Sequence, residues 1–530
     1  MTLDPQVAPD PDPPTESAPA PKATAAVPDE ANGMVPAAAE ASATPLPGEQ
    51  ASRPQRGDEL ELTIDSLAFG GEGVARLGDG GYVVFVAGAI PGDRVRAVVH
   101  KRKRSYAHAR AVEILEPSPE RIAPRADHPG VPWQVLPYAR QLEIKQAQVD
   151  DALRRIGRLD GFELQEIVPA LEGWRYRNKL EYSFGADPSS GSEGAGLVCG
   201  FHAPAGGNAV ISIEDCLLAS ERGNLAREIA LRWCRAQGLT AWERGGGRGG
   251  RSNDQDRERT ERTGPAPDGR ARLRNLVVRE GRRTGQLQIR IVTTAGELEA
   301  GSLAQALSEA LGESLSGVLW TRSRSLAETT AGGDTELVWG EAELPERLGE
   351  LDLRISPEAF FQTNTEMAEL LYEVVVEYAA LEGWERVYDL YSGIGTIALT
   401  LAPRAGEMWG IELIEEAVAD AIAAARRNET PGVQFFAGDT RLALGELVER
   451  AGRPDVLVVD PPRAGLSQKV VRRIIEASPK RIVYVSCNPT TLAPNAAQLA
   501  EAGWVLKKVR PVDMFPQTHH EECVALLERG

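Results

Sequence analysis

At 530 residues, 42% hydrophobic and with a formal net charge of −18, the chain exceeds what one hydrophobic core organises, so two or three domains are expected. No apolar run reaches membrane-spanning length and the acidic, proline-rich start lacks the basic and apolar regions of a signal peptide, so the expectation is a cytoplasmic protein with no membrane partner. Five widely spaced cysteines form neither a disulfide framework nor a CxxC pair, which leaves a free thiol as the only cysteine chemistry to consider.

Residues 1–53 open the chain as an acidic Ala/Pro-rich tail. Its first 50 residues set eight Asp and Glu against the single Lys22, a composition that cannot bury a core and reads as disordered. From 54 to 116, short runs of alternating apolar and polar residues separated by Gly-rich turns predict a small β-barrel. It carries the basic run "HKRKR" (residues 100–104), which fits an oligonucleotide platform and equally a solvated loop. A local basic patch of this kind coexists with an acidic total.

Residues 117–350 mix a helix, "YARQLEIKQAQVDDALRRIG", with strands such as "NKLEYSFG" and "GQLQIRIVTT", and read as an α+β domain. The Gly/Arg-rich stretch 244–270 interrupts it as a flexible insertion. The region also holds a second basic cluster, "WRYRNK" (residues 174–179).

From 351 to 530 strands alternate with amphipathic helices, which predicts a Rossmann-like, mainly parallel α/β sheet with its ligand at the carboxyl ends of the strands. The first strand runs into "DLYSGIGTIALTLA" (residues 389–402), where Gly393 and Gly395 permit a tight turn close to a ligand. Glu412 ends the next strand, 19 residues after Gly393, where a carboxylate can accept both hydroxyls of a ribose. The missing third glycine disfavours a dinucleotide and suits S-adenosylmethionine. "VVDPPRAGL" delivers Asp460 to the same edge, and "VSCNPTTLA" places Cys487 at the end of the following strand. A free cysteine in an apolar strand is usually core, but Asn488 and Pro489 break the strand on the ligand face. Near the end, "FPQTHHEE" offers Glu521 or Glu522 as a general base. The His519–His520 pair lacks a third ligand, so no metal is expected.

Taken in order, "YARQLEIKQ", "WRYRNKLEYSF", "FFQTN", "DLYSGIGTIAL", "VVDPPRAGL", "VSCNPTTLA" and "FPQTHHEE" resemble the S-adenosylmethionine-dependent RNA (uracil-5-)-methyltransferase family over nearly the whole chain after residue 54. The resemblance implies a multi-domain protein: a TRAM/OB-like barrel, a central RNA-binding domain and a catalytic α/β domain. It implies Gln362, Tyr391, Glu412 and Asp460 as cofactor- and base-holding residues, Cys487 as nucleophile, and Glu522 rather than Glu521 as base, because the family motif FPxTxHxE aligns with Glu522. It implies action on 23S ribosomal RNA, with transfer RNA as the alternative substrate, and a monomer is expected. Many relatives bind an iron-sulfur cluster through three cysteines before "YxxQLxxK" and a fourth in a "DC" motif. Only Cys216 remains here, so no cluster is expected. A cytosine-5 RNA methyltransferase, an amino-group methyltransferase with an NPPY-type motif and a non-catalytic RNA-binding protein are the competing readings.

Overall fold

The computed structural model describes residues 53–78, 81–186, 196–203, 209–243 and 264–530. Residues 1–52 of the expected tail and 244–263 of the expected insertion lie outside the described residues. Residues 264–270, the end of that insertion, form a turn in which Arg270 bridges to Glu297.

The first sheet has six strands in the order Glu59–Thr63, Arg94–Arg102, Tyr106–Glu116, Tyr82–Ala87, Gly73–Leu77 and Ser66–Leu67. Its two edges are consecutive pieces of one chain segment, 59–67, so the sheet curls round on itself and closes as a barrel. The alternating pattern sends Leu62, Ile64, Val84, Val86, Val95, Ala97, Val99, Ala107 and Ala109 inward. The basic run 100–104 is exposed at a strand end. Asp93, fully buried, anchors the barrel to the segment that leaves it: the carboxylate accepts the Ile90 and Ser118 amides at 2.9 and 2.8 Å and the Arg121 guanidinium at 2.5 Å.

A second sheet of seven strands runs Val210–Ser212, Leu197–His202, Lys179–Ala186, Leu273–Gly281, Gln286–Thr293, Leu315–Arg322 and Asp334–Gly340. Its one parallel pair, Gln286–Thr293 with Leu315–Arg322, is joined by the helix Ala300–Leu311, as a parallel connection requires. That helix and Glu221–Ala236 cover one face of the sheet.

The third sheet has eight strands, ordered Val433–Ala437, Glu407–Glu412, Arg386–Leu390, Val456–Val459, Arg481–Ser486, Glu522–Arg529, Trp504–Val512 and Glu163–Leu164. The first five are parallel, whereas Glu522–Arg529 runs antiparallel between Arg481–Ser486 and Trp504–Val512. Helices cover both faces, which is why a run such as Val456–Val459 is buried at every position instead of alternating. Strand order reverses on either side of Arg386–Leu390, and ligands of open α/β sheets bind at such a switch point.

One segment sits elsewhere than its place in the chain suggests. Residues 138–168, read from the sequence with the central region, pack on the third sheet: Val149, Leu153, Leu159 and Phe162 join its core, and Glu163–Leu164 forms its outermost strand. Among the described residues no helix is long and apolar enough to cross a membrane.

Burial pushes the Asp93 carboxyl up, but the Arg121 pair and the two amides outweigh it, so its pKa falls below the ordinary range. The charged form is therefore favoured by folding, and its contribution holds above the ordinary carboxylate pKa of about 4 and fades as pH drops through the lower folded value. Asp93→Asn is expected to cost about 1–3 kcal/mol of barrel stability at neutral pH, read by native-state hydrogen exchange of the barrel amides. The gap to the unsubstituted protein should narrow only below about pH 4.

Candidate active site

Parallel pairing brings the carboxyl ends of the central strands to one edge. Leu390 pairs with both Ile411 and Val459, and Val459 pairs with Tyr484, so Tyr391, Glu412, Asp460 and Cys487 emerge on the same rim. The antiparallel strand adds its start to this rim: Ser486 pairs with Cys523, which sets Cys487 opposite Glu522.

The glycine turn is built from left-handed backbone. Tyr391, Gly393 and Gly395 have φ of 64°, 53° and 81°, a conformation that costs a tyrosine of order 1 kcal/mol and persists where surroundings enforce it. A Cβ at Gly395 would lie 2.7 Å from the Phe435 ring, whereas one at Gly393 would meet nothing within 4 Å. Gly393 thus borders open space. The Glu412 carboxylate is aligned at the turn by three amides, from Gly393 at 3.0 Å, Leu413 at 2.7 Å and Ile414 at 3.0 Å.

Asn488 ties the thiol turn to the DPPR turn. Its side chain accepts the Thr490 amide, which starts the helix Pro489–Glu501, and donates to the Arg463 carbonyl at 3.1 Å. Gln362 is buried, and its loop is held from the central sheet: the Asn178 side chain donates to the Gln362 carbonyl at 2.8 Å, and Arg279 donates to the Ser356 and Ala359 carbonyls.

Burial dominates the electrostatics of the rim. It pushes Asp460 up to about 7 and Glu522 well above the carboxylate range, the latter helped by the Asp460 charge. It also pushes the Cys487 thiol up to about 12, with Glu522 and Asp460 adding to the shift and the exposed Arg463 opposing it. Asp389, which sequence reasoning passed over as a site residue, lies fully buried near the end of the first strand. The Ala398 amide faces it without meeting hydrogen-bond geometry, and its pKa is raised by burial and by Asp460. An aspartate inside an otherwise apolar strand was the available signal.

The two glutamates face opposite ways. Glu522 shares its surroundings with Asp460, Arg463 and Cys487; Glu521, fully buried, faces Lys145 and Asp513 and is raised to about 8 by burial. The His519 and His520 rings lie 4.0 Å apart between centroids, tilted by 48°, and burial depresses them to about 4 and about 2. Among the described residues no group of three or more His, Cys, Asp or Glu could hold a metal ion. A Cβ at Gly71 of the barrel would lie 2.9 Å from His519, so the barrel abuts this loop.

The basic cluster "WRYRNK" is in large part internal. Tyr176 and Asn178 are buried and Arg175 pairs with Asp215 at 2.8 Å. Its main structural service is to hold the FFQTN loop and, through the Tyr176 hydroxyl donating to the Pro516 carbonyl at 3.1 Å, the FPQTHHEE loop. Arg177 and Lys179 instead line a cavity of about 400 Å³ with Glu181, Arg279 and Phe360.

The fold and the rim define a class, a doubly wound α/β protein with a nucleotide-type glycine turn and a thiol beside carboxyl groups. Comparisons then identify the family. Residues 440–530 match the family described as tRNA (uracil-5-)-methyltransferase, and residues 53–112 match the TRAM domain. A protein described as an uncharacterised RNA methyltransferase of Halalkalibacterium halodurans is 34% identical over 480 residues, covering 89% of this chain and 97% of its own length. Another, from Bacteroides thetaiotaomicron, is 36% identical over 481 residues, covering 87% and 100%. The solved structure of Pyrococcus abyssi tRNA (uracil-54, C5)-methyltransferase in complex with S-adenosyl-L-homocysteine superposes with a TM-score of 0.68 at 27% identity, over 88% of this chain and 99% of that one. The chain belongs to the RNA (uracil-5-)-methyltransferase family, with a TRAM barrel at its N-terminal side and S-adenosylmethionine as cofactor. The residues fit that cofactor: open space at Gly393, a pre-aligned Glu412 carboxylate, and an excess of buried carboxyl groups that complements a sulfonium cation.

A thiol raised to about 12 is protonated at neutral pH in the free protein. Alkylation of Cys487 by iodoacetamide is therefore expected to run at least about 100-fold slower at pH 7 than for a free cysteine. It should still be rising above about pH 9 instead of reaching a plateau. Peptide mass spectrometry reads this directly, and a fast, pH-independent reaction would contradict it.

Proposed function

We propose that the protein methylates carbon 5 of a uridine in 23S ribosomal RNA in the cytoplasm, acting as a monomer through a covalent Cys487 adduct. The observation that carries the reading is the meeting of one thiol with Asp460 and Glu522 on the rim that the glycine turn borders. Carbon 5 of uracil is a poor nucleophile. Addition of the Cys487 thiolate to carbon 6 moves electron density onto carbon 5. The thiol proton must first leave; of the two carboxyl groups whose charges bear on that sulfur, Asp460 is assigned to take it, which leaves Glu522 free for the later proton.

The bound cofactor supplies an electrophilic methyl group. Gln362, Tyr391, Glu412 and Asp460 are the residues we assign to hold cofactor and base, Glu412 by accepting ribose hydroxyls and Asp460 by holding the pyrimidine as charge develops. Glu522 then takes the proton from carbon 5, the carbon 5–carbon 6 double bond re-forms, and the Cys487 sulfur departs as thiolate. A stacked base cannot reach the rim, so the target uridine is flipped out or lies in a loop, with the barrel and its basic run gripping the neighbouring strand.

Transfer RNA is the second reading. The Pyrococcus structure is of a transfer-RNA enzyme and spans 99% of its own chain in the superposition, so overall architecture does not separate the two substrates.

The test incubates the protein with S-adenosylmethionine and separate unmodified 23S and transfer RNA transcripts, and quantifies 5-methyluridine by nucleoside mass spectrometry. Product in 23S RNA, abolished by Cys487→Ala, is expected. Product in transfer RNA alone would select the second reading, and none in either would overturn the uridine assignment. Glu412→Ala should weaken cofactor binding roughly 10- to 100-fold in titration calorimetry, the worth of one or two hydrogen bonds to a charged group.

A further inference from the structure

The loop 513–521 joins the strands Trp504–Val512 and Glu522–Arg529 and ends on the residue assigned above as base. Within it, among the described residues, only Thr518 makes hydrogen-bond ties, to the Phe515 carbonyl at 2.8 Å and from the His520 amide at 3.1 Å. Gln517 sits at φ 67° in the left-handed region, and the loop's strongest ties come from a helix far away in the chain. Tyr138, Gln141 and Lys145 are spaced i, i+3, i+7 on the helix Tyr138–Asp151, which places all three on one face.

Gln141 grips the strained residue: its side-chain oxygen accepts the Gln517 amide at 2.9 Å and its nitrogen donates to the Gln517 side chain at 2.9 Å. Lys145, 0% exposed, donates to Asp513 Oδ1 at 2.6 Å, to the Phe515 carbonyl at 3.1 Å and to the His520 carbonyl at 2.8 Å. One ammonium thus closes both ends of the loop. Tyr138 completes the set, its hydroxyl donating to Asp513 Oδ2 at 2.7 Å.

This clamp sets a register. Glu521 and Glu522 are adjacent: the pairing of Ser486 with Cys523 sets Glu522 opposite Cys487, and alternation along the chain turns Glu521 to the other side, toward Lys145 and Asp513. A slip of one residue in the loop would exchange them, because side chains alternate along a strand. Among the described residues Lys145 makes no hydrogen bond to Cys487, Asp460 or Glu522, so its influence on the chemistry passes through the loop.

We propose that Lys145, with Asp513 and Tyr138, is a positioning residue that selects Glu522 as the glutamate facing the thiol, and that its loss slows release of the methylated base more than methyl transfer. The inference rests on Glu522 being the base. Without an aligned base, carbon 5 carries both the new methyl group and its original hydrogen, the double bond cannot re-form, and the carbon 6–sulfur bond stays intact.

The test uses full-length protein, S-adenosylmethionine with a labelled methyl group, and whichever of the 23S or transfer RNA transcripts the unsubstituted protein methylates. Lys145→Met, Tyr138→Phe and Glu522→Gln are compared for label in a denaturant-stable protein–RNA band and for turnover of released RNA, with thermal melting to establish folding. Lys145→Met is expected to accumulate the labelled band and to release product at least tenfold more slowly, with the RNA KM nearly unchanged. Tyr138→Phe should shift the same way by a smaller factor, and decides the matter if Lys145→Met does not fold. Folded variants that lose methyl transfer and release by equal factors, with no labelled band, while Glu522→Gln does accumulate one, would overturn the clamp. No band from Glu522→Gln would remove the base assignment and the inference with it.

Discussion

Asp460 and Glu522 crowd acid groups around one thiol, with Asp389 bearing on Asp460, and the only nearby cation, among the described residues bearing on the thiol, is the exposed Arg463. Desolvation of like charges is costly unless they are neutralised or matched. In the free protein the conflict shifts every one of these acid groups toward its protonated form. The pocket is thereby shaped for a positive charge. A sulfonium is the charge that the family's cofactor brings, so the features that hold the chemistry in check without ligand are those that favour it with ligand.

The sheet makes this crowding possible. Five parallel strands end at one rim, and the antiparallel strand inserted beside Arg481–Ser486 starts there, which opposes a carboxylate to the thiol without an intervening loop. Helices covering both faces dry the strands, and the left-handed turn at Tyr391 to Gly395 opens the rim. Support from outside the catalytic sheet is equally direct. The central sheet fixes the FFQTN loop through Asn178 and Arg279, and the helix carrying Lys145 fixes the FPQTHHEE loop. A buried ion pair such as Lys145–Asp513 contributes little against an apolar substitute, yet removal of one partner costs about 3–5 kcal/mol, which suits a device for defining one arrangement more than for adding stability.

Much of the site was legible because strand-end positions announce themselves. Glu412, Asp460 and Cys487 each close an apolar run, and parallel pairing does the rest. The alternation of strands and helices after residue 351 likewise foretold a doubly wound sheet, and the period-2 runs foretold the barrel. What escaped notice depends on distance in the chain. Lys145 and Asp513 lie 368 residues apart, and no local pattern links them. "WRYRNK" has the composition of a basic patch, since burial of Tyr176 and Asn178 is a tertiary outcome. Residues 138–168 group by sequence with their chain neighbours, but their apolar face finds the third sheet. Glu521 and Glu522 are separated in the sequence by family resemblance alone, whereas their opposite facing comes from the strand that begins at Glu522.

Buried acids, raised by desolvation and matched to the cation of the cofactor, are the centre of this mechanism. Titration calorimetry in buffers of different ionisation enthalpy measures the protons exchanged on binding. With Asp460 raised to about 7, binding of S-adenosylmethionine at pH 7 should release protons, because a nearby positive charge lowers the carboxyl pKa. The uncharged thioether S-adenosylhomocysteine should release few or none. Equal proton exchange for the two ligands, or uptake with the sulfonium, would contradict the match.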